Sequence, residues 1–221
     1  LNILLINSGD NNAFAALSDG VNLFVSYAAD FKNAVSKKQP DNLISSLRRI
    51  GADHREALEN VKAVAVTTGP GSFTGIRVGL AIAKGFSAAK DIPIIPISNF
   101  ELLYNRLPDT YRERKCCILI PAKLPEYYYS IWQRGAETEK GCIDSGQLSL
   151  ISDKNTTIVG NFIAETNAKH SYFECLNEEN LGSELDSMLR LALSYFEKGL
   201  LKKPEETEPL YMKDFTFRKQ K

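Results

Sequence analysis

The sequence predicts an α/β protein built from two mixed-sheet lobes. Three features predict it: a meander of three short apolar strands at the start, a buried strand that turns through a glycine-rich corner into an apolar helix, and a second half that repeats the plan in shortened form.

Asn2 to Ile6 reads as the first strand, Ala13 to Leu17 as the second and Val21 to Tyr27 as the third, with turns at Gly9-Asp10-Asn11-Asn12 and Asp19-Gly20. Pro40 opens a helical pattern through Leu43, Ile44, Leu47 and Ile50 that ends near Gly51. Ala63-Val64-Ala65-Val66 is a short apolar run of the kind buried in a sheet, and Ile92 to Ile97 is another strand. Ser98 with Glu101 three residues later fits a capping box leading into Leu102, Leu103 and Leu107. In the second half Cys116 to Ile120, Glu126 to Gln133, a weaker segment between Gly141 and Leu150, Thr156 to Val159 and Ser171 to Leu176 read as strands. A short helix is expected to start at Gly160-Asn161. An amphipathic helix follows from Leu181 to Phe196, through Leu185, Met188, Leu189, Ala192, Leu193 and Phe196.

Three antiparallel strands followed by helix-linked parallel ones is the order of the ribonuclease H-like fold, the unit duplicated in the group that holds actin, sugar kinases and heat-shock chaperone ATPases. The expected fold is therefore actin-like (ASKHA), with two ribonuclease H-like lobes, the second abbreviated. Boundaries are expected at 1–107 for the first lobe, 108–200 for the second and 201–221 for a charged tail. Leu210, Tyr211, Phe215 and Phe217 suit that tail for packing on the body or on a partner.

The corner Gly69-Pro70-Gly71-Ser72-Phe73-Thr74, followed by Gly75, Ile76 and Arg77, brings backbone amides close to whatever faces it. Free amides at a helix start attract anions. Neither well-known phosphate loop fits. The Walker spacing fails because Ile76 follows Gly75, and the dinucleotide pattern fails because Thr74 stands where its third glycine belongs. Within the helix Gly75, Gly79 and Ala83 recur every four residues, a smooth stripe that lets another element come near. That element is either the chain's own sheet or a second subunit. Val78, Ile82, Phe86 and Ala89 form a second face.

Of 221 residues, 27 are basic and 27 acidic, so no global field draws nucleic acid or an anionic membrane. No apolar run approaches the roughly 18 residues of a membrane span, and no basic-then-apolar leader opens the chain, which sets the expectation of a cytoplasmic protein. The first residue is Leu1, so a native start upstream is expected. Cys116, Cys117, Cys142 and Cys175 lack C-x-x-C spacing and read as reduced core thiols.

The block from Val64 to Leu103, above all Gly69 to Phe86, resembles the TsaB family, also called YeaZ, of tRNA threonylcarbamoyladenosine biosynthesis proteins. Weaker similarity covers Ile3-Leu4-Leu5-Ile6, Tyr127 to Trp132, Ile158-Val159-Gly160 and Pro209-Leu210-Tyr211. The resemblance implies a bacterial, non-catalytic subunit that pairs with a TsaD-type catalytic subunit. Together with a TsaE-type ATPase, the assembly transfers threonylcarbamoyl to the adenosine beside the anticodon. It also implies that the helix after the corner serves homodimers and heterodimers, which assigns Gly75, Ile76, Gly79, Leu80 and Ala83 to a partner interface. No cofactor is expected on this chain alone. ATP and metal belong to the partners, tRNA is met only indirectly, and no membrane contact is expected.

Two segments depart from the family. Asn7-Ser8-Gly9 stands where members carry Asp-Thr-Ser, which removes a carboxylate that related folds aim at a phosphate-bound metal, and Pro121-Ala122-Lys123 stands where members carry Asp-Ala-Arg. The rival readings are an actin-fold ATPase or small-molecule kinase and, remotely, a metallopeptidase of the glycoprotease type. A kinase needs metal-binding carboxylates and phosphate loops. Asp10 and Gly160-Asn161 are the candidates for those. A metallopeptidase needs paired histidines, and His54 and His170 are far apart, His54 reading as a solvated loop residue. The small basic cluster Arg112, Arg114 and Lys115 beside Tyr111 reads as a solvated linker face diluted by Glu113. Tyr127-Tyr128-Tyr129 alternates across its strand, one or two rings inward and at least one outward.

Overall fold

The computed structural model describes residues 1–9, 13–27, 39–160, 174–177 and 180–212. Asp10, Asn161, His170, Ser171, Phe215 and Phe217, each of which carried an expectation, lie outside the described residues. The chain divides into two units, residues 1–106 with 183–209, and residues 107–182 with 210–221.

In the first unit β1 (Ile3–Asn7), β2 (Phe14–Ser18), β3 (Leu23–Tyr27), β4 (Ala63–Gly69) and β5 (Ile94–Ser98) form one sheet in the order β3-β2-β1-β4-β5. The meander β1-β2-β3 is antiparallel, and β4 runs parallel to both β1 and β5. Every residue of β1 and β4 is buried, which is why residues 3–6 and 63–66 read as unbroken apolar runs rather than alternating ones. One face carries Leu4, Ile6, Val64 and Val66. It is covered by α1 (Gln39–Asp53) and α3 (Phe73–Lys90) through Leu43, Ile50, Ile76, Leu80 and Ala83, with the short α2 (Arg55–Glu59) beside them. The other face carries Ile3, Leu5, Ala65, Ile95 and Ile97, and takes α4 (Asn99–Asn105) and α6 (Glu184–Glu197) through Leu102, Met188, Leu191 and Ala192.

The amphipathic helix expected in the second lobe thus packs on the first unit's sheet. Its apolar stripe is as expected, but a stripe does not name the sheet it meets. Complete burial of Met188 alone contributes about 1.5–3 kcal/mol. The hydroxyl of Tyr195 donates to Glu101 and that of Ser187 to the Asn105 carbonyl at 3.4 Å, joining α6 to α4. After α6 the chain crosses to the β5 margin. There Lys202 and Ile94 exchange both backbone hydrogen bonds at 2.8 Å, Thr207 is buried, and Glu208 pairs with Lys84 of α3 at 3.1 Å.

The second unit has α5 (Asp109–Arg112) and β6 (Cys116–Pro121), β7 (Glu126–Gln133), β8 (Ala136–Asp144), β9 (Thr157–Gly160) and β10 (Glu174–Leu176), in sheet order β10-β9-β6-β7-β8. Its strands pair as in the first sheet, with the β6-β7-β8 meander antiparallel and β9 parallel to β6 and β10. Its core is Cys117, Leu119, Tyr127, Tyr129, Ile131, Ile143, Leu148 and Ile158. Tyr127 and Tyr129 point into that core and Tyr128 is half-buried. The weak strand expected between Gly141 and Leu150 lies earlier. Arg134 and Gly135, both at positive φ, make a two-residue hairpin turn into β8, and Asp144 then caps a 3-10 turn (Ser145–Leu150) by accepting from Gly146 N–H at 2.8 Å.

Candidate docking helix and glycine corner

The corner joins β4 to α3 through Pro70, Gly71 and Ser72. Gly69 sits at φ 103°, where a side chain is strained. A Cβ on Gly71 would strike the Gly9 carbonyl. Ser72 caps α3 in the expected way, its Oγ accepting from Gly75 N–H at 3.2 Å. The Ser72 amide itself donates to the Gly9 carbonyl at 2.8 Å. Two of the amides expected to face an anion are therefore bonded within the chain. Gly69 and Pro70 are buried, whereas Phe73, Thr74 and Arg77 are exposed, the Arg77 guanidinium lying 3.8 Å above the Phe73 ring.

Behind the corner is a buried polar cluster. Asn7, 1% exposed, accepts at Oδ1 from Thr67 Oγ1 at 2.9 Å and from Gly9 N–H at 3.2 Å. Its Nδ2 donates to Glu184 Oε1 at 2.7 Å. Nearby, Asn99 Nδ2 donates to the Pro70 carbonyl at 2.9 Å.

The five residues expected at a partner interface all face inward. Ile76, Leu80 and Ala83 are at most 5% exposed, and Gly75 and Gly79 are buried. A Cβ on Gly75 would enter the Ser8 carbonyl oxygen, and one on Gly79 would meet the Ser8 side chain with Ile6 just beyond. The small-residue stripe therefore seats α3 on its own β1, and the inference from that stripe to a second subunit is overturned. The opposite side of α3 presents Thr74, Arg77, Ala81, Gly85, Ala88 and Ala89 outward, and among the described residues nothing lies within 4 Å of a Cβ placed on Gly85. Val78, Ile82 and Phe86 flank it, partly buried against the core. A helical projection of the sequence holds both small-residue stripes. Only tertiary packing decides which one is covered.

The remaining candidates are accounted for by local partners. Pro121 ends β6, and Ala122 and Lys123 form a closed turn in which Ala122 N–H donates to the Glu126 carbonyl and Glu126 N–H to that of Lys123, both at 3.1 Å. His54 lies in the joint between α1 and α2 as expected, but it is half-buried rather than fully solvated, its ring stacked on Phe24 with centroids 3.6 Å apart. Arg112, Arg114 and Lys115 pair with Asp109, Glu174 and Asp153 at 3.2, 3.2 and 3.7 Å. The Tyr111 hydroxyl donates to Glu174, which holds it above the usual phenol range. Burial pushes the Cys116 and Cys117 thiols up to about 11 and about 12, far from the range of a nucleophilic thiolate. Among the described residues no three His, Cys, Asp or Glu side chains are grouped to hold a metal ion, and no helix is long and apolar enough to cross a membrane.

The family model for TsaD, tRNA N6-adenosine threonylcarbamoyltransferase, matches residues 33–144, half of the chain, with the corner and α3 inside the match. The tRNA threonylcarbamoyladenosine biosynthesis protein TsaB of Haemophilus influenzae is 35% identical over 88 residues, 40% of this chain and 37% of that protein. The Escherichia coli protein of the same name is 27% identical over 169 residues, 72% and 73% of the two chains. The chain belongs to this family, on its TsaB (YeaZ) branch.

The solved YeaZ from Pseudomonas aeruginosa superposes on this TsaB-type chain with a TM-score of 0.72 at 18% identity, covering 95% of this chain and 99% of that one. A Bacteroides thetaiotaomicron protein described as having an actin-like ATPase fold matches at a TM-score of 0.50 and 8% identity, over 86% and 95% of the two chains. The fold is the actin-like one expected. The matched stretch is little more than a third of the length of the Haemophilus relative and about three quarters of the Escherichia one.

An actin-like ATPase fold implies a nucleotide and its metal. The corner of the first unit does not fit them. The residue at the end of β1 is an amide rather than a carboxylate, both its polar atoms are engaged by neighbours, and the Gly9 carbonyl occupies the Ser72 amide.

Proposed function

We propose that this chain is a non-catalytic scaffold and activator in tRNA threonylcarbamoyladenosine synthesis, and that it docks its partner through the outer face of α3. The observation that carries the non-catalytic part is the self-filled corner. Asn7 and the amides of Ser72 and Gly75 are bound to the chain's own groups. The kinase or ATPase reading needs carboxylates and free loop amides at that place. Support for the pathway comes from the TsaB relatives in Haemophilus influenzae and Escherichia coli, and family membership points to a TsaD-type catalytic subunit as the partner. A second copy of the chain competes for the same face as a homodimer, a TsaE-type ATPase joins through the complex, and tRNA is held by other subunits. The even charge and the ion-paired Arg112, Arg114 and Lys115 support that last point. On this reading the chain works in the cytoplasm.

The outer face suits docking because its side chains are small. A facing helix can approach Ala81, Gly85 and Ala88 closely, and Phe73 with its stacked Arg77 supplies an aromatic and cationic anchor at one end. The test is co-purification of the full chain with the TsaD-type subunit of the same organism, paired with titration of ATP and magnesium into the chain alone. Ala81→Arg is expected to cut complex formation at least about tenfold while leaving the unfolding midpoint unchanged. Full retention of binding by Ala81→Arg overturns the docking face. Tight nucleotide binding by the isolated chain overturns the non-catalytic reading in favour of a kinase or ATPase.

A further inference from the structure

We infer that Asn7, Thr67 and Glu184 form a latch that takes the place of a bound cation and phosphate, so that helix α6, rather than a nucleotide, holds the end of β1 against the glycine corner. The inference deepens the non-catalytic reading and rests on it.

The geometry fixes every role in the latch. Thr67 lies on β4, is fully buried, and donates its hydroxyl to Asn7 Oδ1 while its own oxygen faces the Ser8 N–H at 3.4 Å. The Gly9 N–H donates to the same Asn7 oxygen, so that end of the amide must be the carbonyl. Nδ2 is therefore the end that meets Glu184, at the first turn of α6, where the helix dipole also favours a carboxylate. The chain from Asn7 through Gly9 to the Ser72 amide connects this cluster to the start of α3.

Asn7 and Glu184 are complementary only as an amide with a carboxylate. An aspartate at position 7 would keep the bonds from Thr67 and Gly9 but would turn its second oxygen toward the Glu184 oxygen, now 2.7 Å from Nδ2. Two carboxylates that close, one of them buried, need a proton or a cation between them. The amide at position 7 and the glutamate at position 184 thus depend on each other. Together they place at the corner an uncharged amide whose two polar atoms are already bonded within the chain, where a metal-dependent relative of the fold presents an acid.

The test compares thermal unfolding of the full chain, Asn7→Asp, Glu184→Gln and the double variant, each in magnesium chloride and in sodium chloride of matched ionic strength. Asn7→Asp is expected to lower the midpoint by about 5–10 °C. Glu184→Gln in the same chain restores most of the loss, because the amide it introduces then donates where Asn7 did. Magnesium raises the midpoint of Asn7→Asp and leaves the wild type unmoved. Should Asn7→Asp fail to fold, recovery of soluble folded protein in the double variant reads the same coupling. A double variant no better than Asn7→Asp, or a wild type that gains as much from magnesium as Asn7→Asp does, overturns the latch. Failure of the latch appears in these midpoints, whereas failure of the scaffold reading appears in nucleotide titration and partner co-purification with the midpoints as expected.

Discussion

The inner and outer faces of α3 are made of similar residues and do opposite things. Gly75, Gly79 and Ala83 on one side and Ala81, Gly85 and Ala88 on the other are both small-residue stripes. The inner stripe is small because the Ser8 carbonyl and side chain come within the space a Cβ would fill. Among the described residues, the outer stripe meets nothing at Gly85. Smallness therefore reports close approach only where the structure supplies the approaching atom, and among the described residues none is supplied at Gly85.

The contrast can be broken from the inside first. Leu80→Ala should cost about 3 kcal/mol in chemical denaturation, because Leu80 lies in the core cluster with Ile6 and Val66. Gly79→Leu should cost a similar or somewhat smaller amount, about 2–3 kcal/mol, by forcing a side chain into Ser8 and Ile6. If it instead altered only oligomeric state, with an unchanged denaturation curve, the inner face would not be the buried one. Ser72→Ala removes the cap on Gly75 N–H and is expected to cost about 1 kcal/mol. The smallest effect has the opposite sign. Gly85→Ala, exposed and mid-helix, should stabilise the chain by up to about 1 kcal/mol, and a loss of stability there would mean that the outer face is covered after all.

Strands β1, β4 and β6 were legible in the sequence because each opens with four or more consecutive apolar residues, all buried over the first four, as a strand covered on both faces requires. Strand β8 was misplaced for the converse reason. Ala136 to Lys140 are exposed at the sheet margin and carry Glu137, Thr138 and Glu139, so no apolar alternation marks the start of the strand. Helix α6 was legible as a helix and not as part of the first unit, since Met188 and Leu191 would satisfy any apolar sheet. The glycine corner was legible by its spacing and by family resemblance. Its self-occupation was not, because the Asn7–Glu184 bond joins residues 177 positions apart and leaves no local pattern.

The pairing of Lys202 with Ile94 has a consequence for how the molecule behaves in concentrated solution. An open sheet margin offers unpaired amides and carbonyls to any extended peptide that drifts past. The returning chain satisfies Ile94 on that side, so the start of the β5 border is guarded by the protein's own backbone. Truncation ahead of residue 200 would strip this guard and invite aggregation by strand addition, a solubility defect with no counterpart in the chemistry of the corner.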